Sequence, residues 1–518
     1  METRIIDSSS GRDRLIAGAE LAAEVVGSTM GPAGRFVAIE YRGDVPEMTK
    51  DGVSVARRIF LEDPVMEMGN ELVKMACLRT NAKTGDGTSG TSVLAGSLAR
   101  TLSEAMDGRP SSPVIAGAKA AVRDVVGAVR ASSVPFCEED GRKVGRISAN
   151  DATLGDLAFD SFGGSFDVDV QVELTGKPET EVSASSGLRI PSGYHSEHFV
   201  NSEAVGACIL ENVHVLACDS VIEDANDIFP AISAVAAVKG ASLLVVAEGF
   251  SEAVSGTMVD FAGRGIPICA VRMMATGTRS HEIAGDLAAL GGGVPYGQKS
   301  GRSPRDFSME TAPKFGRVYA NRQFCDVMDD SFAPSEEVTK RLESAEKSLS
   351  ETESDVEKAH FRRRIRGLRF RFAYIRVGGS SDAERHENAQ RIEDAVGAVK
   401  AAAESGTVLG CGQALHDASY AVLPPADADA PFEAGYLAVL KSCRRPKEVV
   451  LGNAGAEEVG RGQVNPVDLT ECDYRGIGVL DPTDIPCFAL EHAVSVAILI
   501  ANTRFSVEFK DRVGPYAQ

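Results

Sequence analysis

The sequence predicts a mostly α-helical protein with an α/β portion, in which a discontinuous helical domain carries an inserted arm. Three observations predict this. Ala- and Val-rich helical texture fills roughly the first 130 residues, the last third of the chain returns to it, and the stretch between is different. Within that middle stretch, Leu243-Leu244-Val245-Val246-Ala247 and Ile266-Pro267-Ile268-Cys269-Ala270-Val271 read as buried strands bracketing a helix, the pattern of an α/β unit.

In chain order, residues 13 to 35 read as an amphipathic helix with Leu15, Ile16, Ala19, Ala22, Ala23 and Val26 on one face, stopped at Met30-Gly31-Pro32-Ala33-Gly34. Arg35 to Tyr41 alternates as a strand, and Thr49-Lys50-Asp51-Gly52 is a turn leading into a helix. A helix over Met66–Ala82 ends at a loop of small residues, Lys83 to Ser92, before another helical pattern from Val93 to Leu102. Texture changes after Ser132-Ser133-Val134-Pro135, and a β-rich stretch alternating with helices starts near Gly187. Residues 335 to 369, with Val338, Leu342, Leu349 and Val356 at near-heptad spacing, predict two packed, solvent-facing helices. Their cluster Arg362-Arg363-Arg364-Ile365-Arg366 reads as a solvated helix end rather than a nucleic-acid patch. Helices over Glu393–Ser405 and Ala489–Asn502 complete the chain.

Composition narrows the function. At 518 residues the chain has room for about three or four domains, and 43% apolar with 25% charged residues is an ordinary folded composition. The 54 basic residues against 74 acidic give a formal charge of -20, which disfavours nucleic acid and anionic membrane as partners. We read no signal peptide and no membrane span, and expect a cytoplasmic protein. Ten cysteines stand singly with no C-x-x-C pair, so reduced thiols and no structural zinc are expected. His195 and His198 have a spacing that a metal could use, although exposed loop histidines are the simpler explanation.

The chemistry centres on Gly85-Asp86-Gly87-Thr88-Ser89-Gly90-Thr91. Its glycines let backbone N–H groups approach an anion, its hydroxyls can donate to phosphate, a helix N-terminus follows, and Asp86 offers a hard oxygen for Mg²⁺. The same residue types also suit simple helix capping. The loop is neither a Walker loop nor a G-x-G-x-x-G turn.

Together with Thr29-Met30-Gly31-Pro32-Ala33-Gly34-Arg35, Thr49 to Arg57, Leu61-Glu62-Asp63 and Met68-Gly69, this loop resembles the N-terminal equatorial segment of a group I chaperonin of the GroEL type. The resemblance continues through Val144 to Asn150, Gly193-Tyr194, Phe199-Val200-Asn201, Gln390 to Ala395, Gly410-Cys411-Gly412 and Gly478 to Thr483. It covers nearly the whole chain and is weakest between about 150 and 375. It implies the three-domain chaperonin fold: an equatorial ATPase domain over 1–133 and 406–518, an intermediate domain over 134–186 and 373–405, and an apical substrate-binding domain over 187–372.

The resemblance also assigns residues. Thr29, Met30, Gly31, Pro32 and Lys50 with Gly85, Asp86, Gly87, Thr88, Ser89 and Gly90 would hold the ATP phosphates, with Asp86 on Mg²⁺. Asp51 would lie by the γ-phosphate, and Asp394 would orient the attacking water. Gly412, Asn465, Val479 and Asp481 would line the nucleoside. Tyr194, Phe199, Phe229, Ile232 and Val259 would supply an apolar rim for unfolded polypeptides, although core packing is the ordinary explanation for each taken singly. Partners implied are copies of the chain in a homo-oligomeric ring, with a heptamer one option and single or double rings both open, and non-native clients; the need for a co-chaperonin lid is left open.

Departures from the family pattern are as informative. The phosphate loop lacks one hydroxyl at Gly90, Ala33 replaces a usual lysine, and Cys411 interrupts a run of three glycines. His198, Ser255 and Asp260 make the rim more polar. Pro135 and Gly406 match the lower hinge and Gly187 one side of the upper hinge, but Phe370-Arg371 replaces the glycine pair opposite it, and the tail from Val507 to Gln518 lacks a Gly-Met repeat. Lys447 with Glu457 or Glu458 falls where inter-ring charges lie in the family, or is a solvated surface pair. Two functions remain: an ATP-hydrolysing folding chaperonin, and a ring or scaffold protein that binds ATP but serves specialised clients. A small-molecule phosphotransferase is a weaker third, since no acceptor pocket is legible.

Overall fold

The computed structural model describes residues 3–509 except 7, 41–45, 165, 167, 203–205, 330–334, 353 and 370. Met1, Glu2, Tyr41, Phe370 and the tail from 510 therefore lie outside the described residues. The chain divides into two compact units, Met1–Phe166 with Val172–Glu181 and Ile375–Gln518, and Asp167–Gln171 with Val182–Tyr374.

The first unit is a helical bundle. Its central helices Ser8–Gly27, Pro64–Thr84, Thr88–Met106, Ser111–Ala131, Ala430–Ser442 and Asp484–Ala501 pack around one core, in which Ile16, Leu94, Leu98, Leu102 and Leu490 are fully buried. Small residues let these helices approach closely: a Cβ on Gly18 would meet the Met66 carbonyl oxygen at 1.9 Å, and one on Gly69 the Leu15 oxygen at 2.0 Å. The first helix starts earlier and stops earlier than its periodicity predicts, because Ser28 Oγ and Thr29 Oγ1 donate to the carbonyls of Val25 and Val26 and satisfy its last turn. Asp484–Ala501 is apolar and long enough to cross a membrane, but more than half of it is buried in this core. The short strands Val37–Ile39 and Glu47–Thr49 pair antiparallel, as do Thr3–Ile6 and Ser506–Phe509.

The second unit is built on a sheet whose parallel strands Ile268–Arg272, Ser242–Ala247 and Cys208–Ala217 run into antiparallel Lys314–Ala320, Cys325–Asp329 and Glu181–Ile190. Leu243 to Ala247 and Ile268 to Val271 are buried throughout, as continuous apolar runs require when helices cover both faces. Helix Glu252–Gly263 joins the two strands that the sequence brackets around it.

The two charged helices are Glu336–Glu351 and Asp355–Leu368. They are less solvent-facing than expected on one side and more so on the other. Val338 is buried, Val356 is exposed, and Arg364, only 9% exposed, pairs with Asp286 and Glu282 of helix Thr278–Leu290 at 2.8 and 3.0 Å. Arg364 is thus a clasp between helices, since a buried guanidinium needs carboxylates it can meet in a fixed geometry.

Candidate nucleotide site

The site is assembled within the first unit from four chain segments. Helix Pro64–Thr84 starts on Asp63, whose carboxylate accepts from the N–H groups of Val65 and Met66 and pairs with Arg14. It ends at Gly85 (φ 72°), and Gly87 (φ 92°) begins the next helix, Thr88–Met106. Both glycines occupy the left-handed region that L side chains avoid, so the chain reverses in three residues and Asp86 sits at the mouth of a helix N-terminus. Asp86 Oδ1 accepts from the Gly87 N–H at 2.5 Å, and Oδ2 from Ser148 Oγ at 2.8 Å. Thr91 Oγ1 is consumed inside the fold by Gly87 O and Thr80 Oγ1, but Thr88 Oγ1 is buried with no partner. No heavy atom lies within 4 Å of a Cβ placed on Gly90, so the loop faces open space there.

Asp51 caps the helix Gly52–Arg58, its two oxygens accepting from Val53 N at 2.9 Å and Ser54 N at 2.8 Å. Gly52 beside it lies close to the 85–91 loop: a Cβ there would fall 2.1 Å from Ser89 Oγ, which would have to rotate away. Asp394 arrives on helix Asp382–Ser405, seated by a backbone-to-backbone contact: a Cβ on Gly397 would meet Gly85 Cα at 2.8 Å. Gln390, one turn earlier, donates to Ser54 Oγ at 3.1 Å and ties the same helix to the Asp51 segment.

Five carboxylates therefore converge: Asp51, Asp86, Glu393, Asp394 and Asp481. Burial, then Asp51, holds Asp86 above the usual carboxylate range, and burial followed by Asp86, Asp51 and Glu393 raises Asp394 well above it. Asp481 is pushed up to about 7 by burial and Asp86, and Glu393 upward by burial and Asp51. Such mutual repulsion is what a site for a divalent cation and its anionic ligand leaves behind, since like charges in low dielectric are tolerated only where a counter-charge completes them. Among the described residues no three His, Cys, Asp or Glu side chains form a cage for a metal on their own. A Mg²⁺ here fits the mode in which one or two carboxylates share the ion with phosphate oxygens and water.

The nucleoside side is narrower than the sequence suggests. A Cβ on Gly410 would lie 3.1 Å from Asp481 Oδ1, and one on Gly412 (φ 69°) 2.6 Å from Lys447 N. Between them Cys411 adopts φ 55°, and its half-buried thiol, pushed up to about 11 by desolvation, meets Tyr474. Val479 is buried and bonds Gly410 N through its carbonyl. Asn465 spends its side chain on its own turn, accepting from Val467 N at 3.0 Å. Gly31 (φ 78°) packs on Val450, Thr29 caps its helix, and Asn453 holds the Met30 carbonyl at 3.0 Å. Pro32 is exposed, and Lys50 lays its ammonium over the Phe36 ring, 4.9 Å from the centroid.

Lys447 requires correction. It is neither a solvated surface charge nor free for an inter-ring pair: the residue is fully buried, and its ammonium donates to the carbonyls of Gly460 at 2.9 Å and Gly462 at 2.8 Å. Ser148, Gln390 and Gly397 are the site residues that sequence reasoning missed. The first two lie inside segments carrying the resemblance, but a single hydrogen bond from a distant helix leaves no pattern along the chain.

In the second unit, Phe199 and Ile232 are buried at 3% and 1% exposure and belong to its core, so neither presents a surface to a client. Phe229 is exposed and meets Phe261 edge-on at 6.0 Å, while Tyr194 and Val259 are half-buried. Two of the three polar substitutions are partnered: Asp260 pairs with Arg264 at 2.5 Å, and Ser255 meets His195 Nε2 at 3.0 Å.

Residues 22–244 match the TCP-1/cpn60 chaperonin family. Among solved structures, the chain is similar to the chaperonin gp146 from the bacteriophage EL 2 (Pseudomonas aeruginosa), crystallised in the presence of ATP-BeFx. In one crystal form the TM-score is 0.70 at 18% identity, and in another 0.68 at 20%, each covering 98% of this chain and 99% of that one. The chain thus has the chaperonin fold, and within it residues 22–244 match the model of the TCP-1/cpn60 chaperonin family.

Proposed function

We propose that this chaperonin binds Mg²⁺ and ATP in the carboxylate-lined cleft, hydrolyses the γ-phosphate, and uses the cycle to assist folding of non-native polypeptides within a homo-oligomeric ring. The observation that carries the reading is the convergence of Asp51, Asp86 and Asp394 at the loop whose next helix begins with the buried, unpartnered Thr88 hydroxyl. Asp86 would hold the metal, which supplies neutralisation of phosphate charge; Gly87, Thr88, Ser89 and Gly90 would donate to phosphate oxygens. Asp394, raised in pKa by burial and then by Asp86, Asp51 and Glu393, is suited to accept a proton from water it orients. The division into equatorial, intermediate and apical domains belongs to this proposal, as do cytoplasmic location and exclusion of nucleic acid and membrane.

The partnered polar residues around Phe229 favour a second reading for clients: a specialised set rather than any unfolded chain, because only Phe229 among the rim candidates is freely exposed. The test is ATP turnover with particle size by light scattering, for the parent and Asp394→Ala, with and without chemically unfolded clients. Turnover falling about 100-fold or more in Asp394→Ala, in particles much larger than a monomer, supports the ATPase assignment. Unchanged turnover overturns it, and protection of several unrelated clients overturns the specialised reading.

A further inference from the structure

Ser148 stands at the last turn of helix Glu138–Ala149, far in sequence from the phosphate loop, yet its hydroxyl donates to Asp86 Oδ2 at 2.8 Å. The other oxygen of the same carboxylate is held by the Gly87 N–H. Two donors, one on each oxygen, stop the carboxylate from rotating while leaving further lone pairs free, since each carboxylate oxygen accepts more than one bond. They also partly offset the repulsion from Asp51 that burial makes costly. The same helix packs through Val144 with Ala398 and Ala402 of the helix bearing Asp394, and is anchored by Asp140 to Arg475 at 2.7 Å. One rigid element thus contacts both the residue assigned to the metal and the helix assigned to the attacking water.

We propose that Ser148 is a positioning residue for Mg²⁺: its hydroxyl fixes the Asp86 carboxylate in the orientation that receives the ion. This rests on the nucleotide reading above, and the experiment separates the two. Nucleotide binding to the full chain is measured by calorimetry across a Mg²⁺ titration and again in chelator, for the parent, Ser148→Ala and Ser148→Thr. A hydrogen bond to a charged group is worth enough that Ser148→Ala should raise the half-saturating Mg²⁺ concentration about 10-fold or more. Binding in chelator and the melting temperature should stay at parental values, and Ser148→Thr should recover most of the loss by restoring the hydroxyl. A Ser148→Ala variant that titrates as the parent overturns the inference, as does an equal loss with and without Mg²⁺, which would mark Ser148 as merely structural. If the parent itself shows no Mg²⁺-dependent nucleotide binding, the reading of the cleft fails, and this inference fails with it.

Discussion

In the first unit, like charges are brought together: burial and mutual repulsion raise the pKa of Asp86, Asp394 and Asp481, and Thr88 buries a hydroxyl without a partner. In the second unit the reverse holds around Phe229, where apolar candidates have sunk into the core and polar ones are paired with neighbours. Unsatisfied polar groups in a folded protein are rare and costly, so their concentration marks a place where a ligand completes the structure. A surface whose groups already satisfy each other makes no such demand. The cleft should therefore be intolerant of change and the client face forgiving.

The sharpest way to break that contrast is at Gly397. Alanine there would put a methyl 2.8 Å from Gly85 Cα, and backbone cannot yield as a side-chain tip can. Helix Asp382–Ser405 must then lift from the phosphate loop and carry Asp394 with it, and displacement near 1 Å costs a reaction of this kind about 100-fold. The helix itself gains about 1 kcal/mol from replacing an interior glycine, so global unfolding is not the expected route. ATP turnover should fall by about that factor with the melting temperature nearly unchanged. Parental turnover would show that the approach of Gly397 to Gly85 does not position Asp394.

A smaller effect separates the two kinds of apolar residue in the second unit. Ile232→Ala removes a fully buried side chain and should destabilise by about 2–5 kcal/mol, read as a lower melting temperature, whereas exposed Phe229→Ser should leave melting in place and weaken capture of an unfolded client several-fold. Equal melting losses in both would mean that Phe229 is core, and unchanged capture in Phe229→Ser would remove it from the client face.

Legibility in the sequence follows the same division. Asp51, Asp86 and the glycines around them are readable because local turn chemistry dictates their residue types: Asp51 caps the next two N–H groups, and Gly85 and Gly87 must take left-handed conformations. The helices and the parallel strands are readable from periodicity, but their ends shift, at Ser28 and Asp63 where caps intervene and at Thr88 and Asp484 where the helix starts five residues early without a side-chain cap. What was not readable depends on partners remote in the chain. Lys447 is buried by carbonyls 13 and 15 residues on, Arg364 by Asp286 78 residues away, and Asp86 is fixed by Ser148 at a separation of 62. Phe199 and Ile232 are core residues, a choice the sequence leaves open because an apolar residue reads alike whether it faces a core or a client.

The subtlest consequence of crowding in the cleft is a dependence of stability on pH. Asp481 is pushed up to about 7 by burial and by Asp86, so the folded protein holds this proton more tightly than the unfolded chain, whose aspartates titrate near 4. Below the unfolded value the group costs nothing; as pH rises from there through about 7, ionisation in the fold becomes progressively unfavourable and stability is lost. Asp481→Asn removes the ionisation and keeps the shape. The variant should melt higher than the parent at pH 8, by about 2 °C or more, with the gap narrowing steadily toward pH 5. A gap independent of pH would mean that the carboxylate is well solvated or already compensated, and the first unit would then have lost part of what distinguishes it from the second. A gap that closes at pH 8 on adding Mg²⁺ and nucleotide would show the opposite: the ligand brings the counter-charge that offsets the repulsion among the five carboxylates.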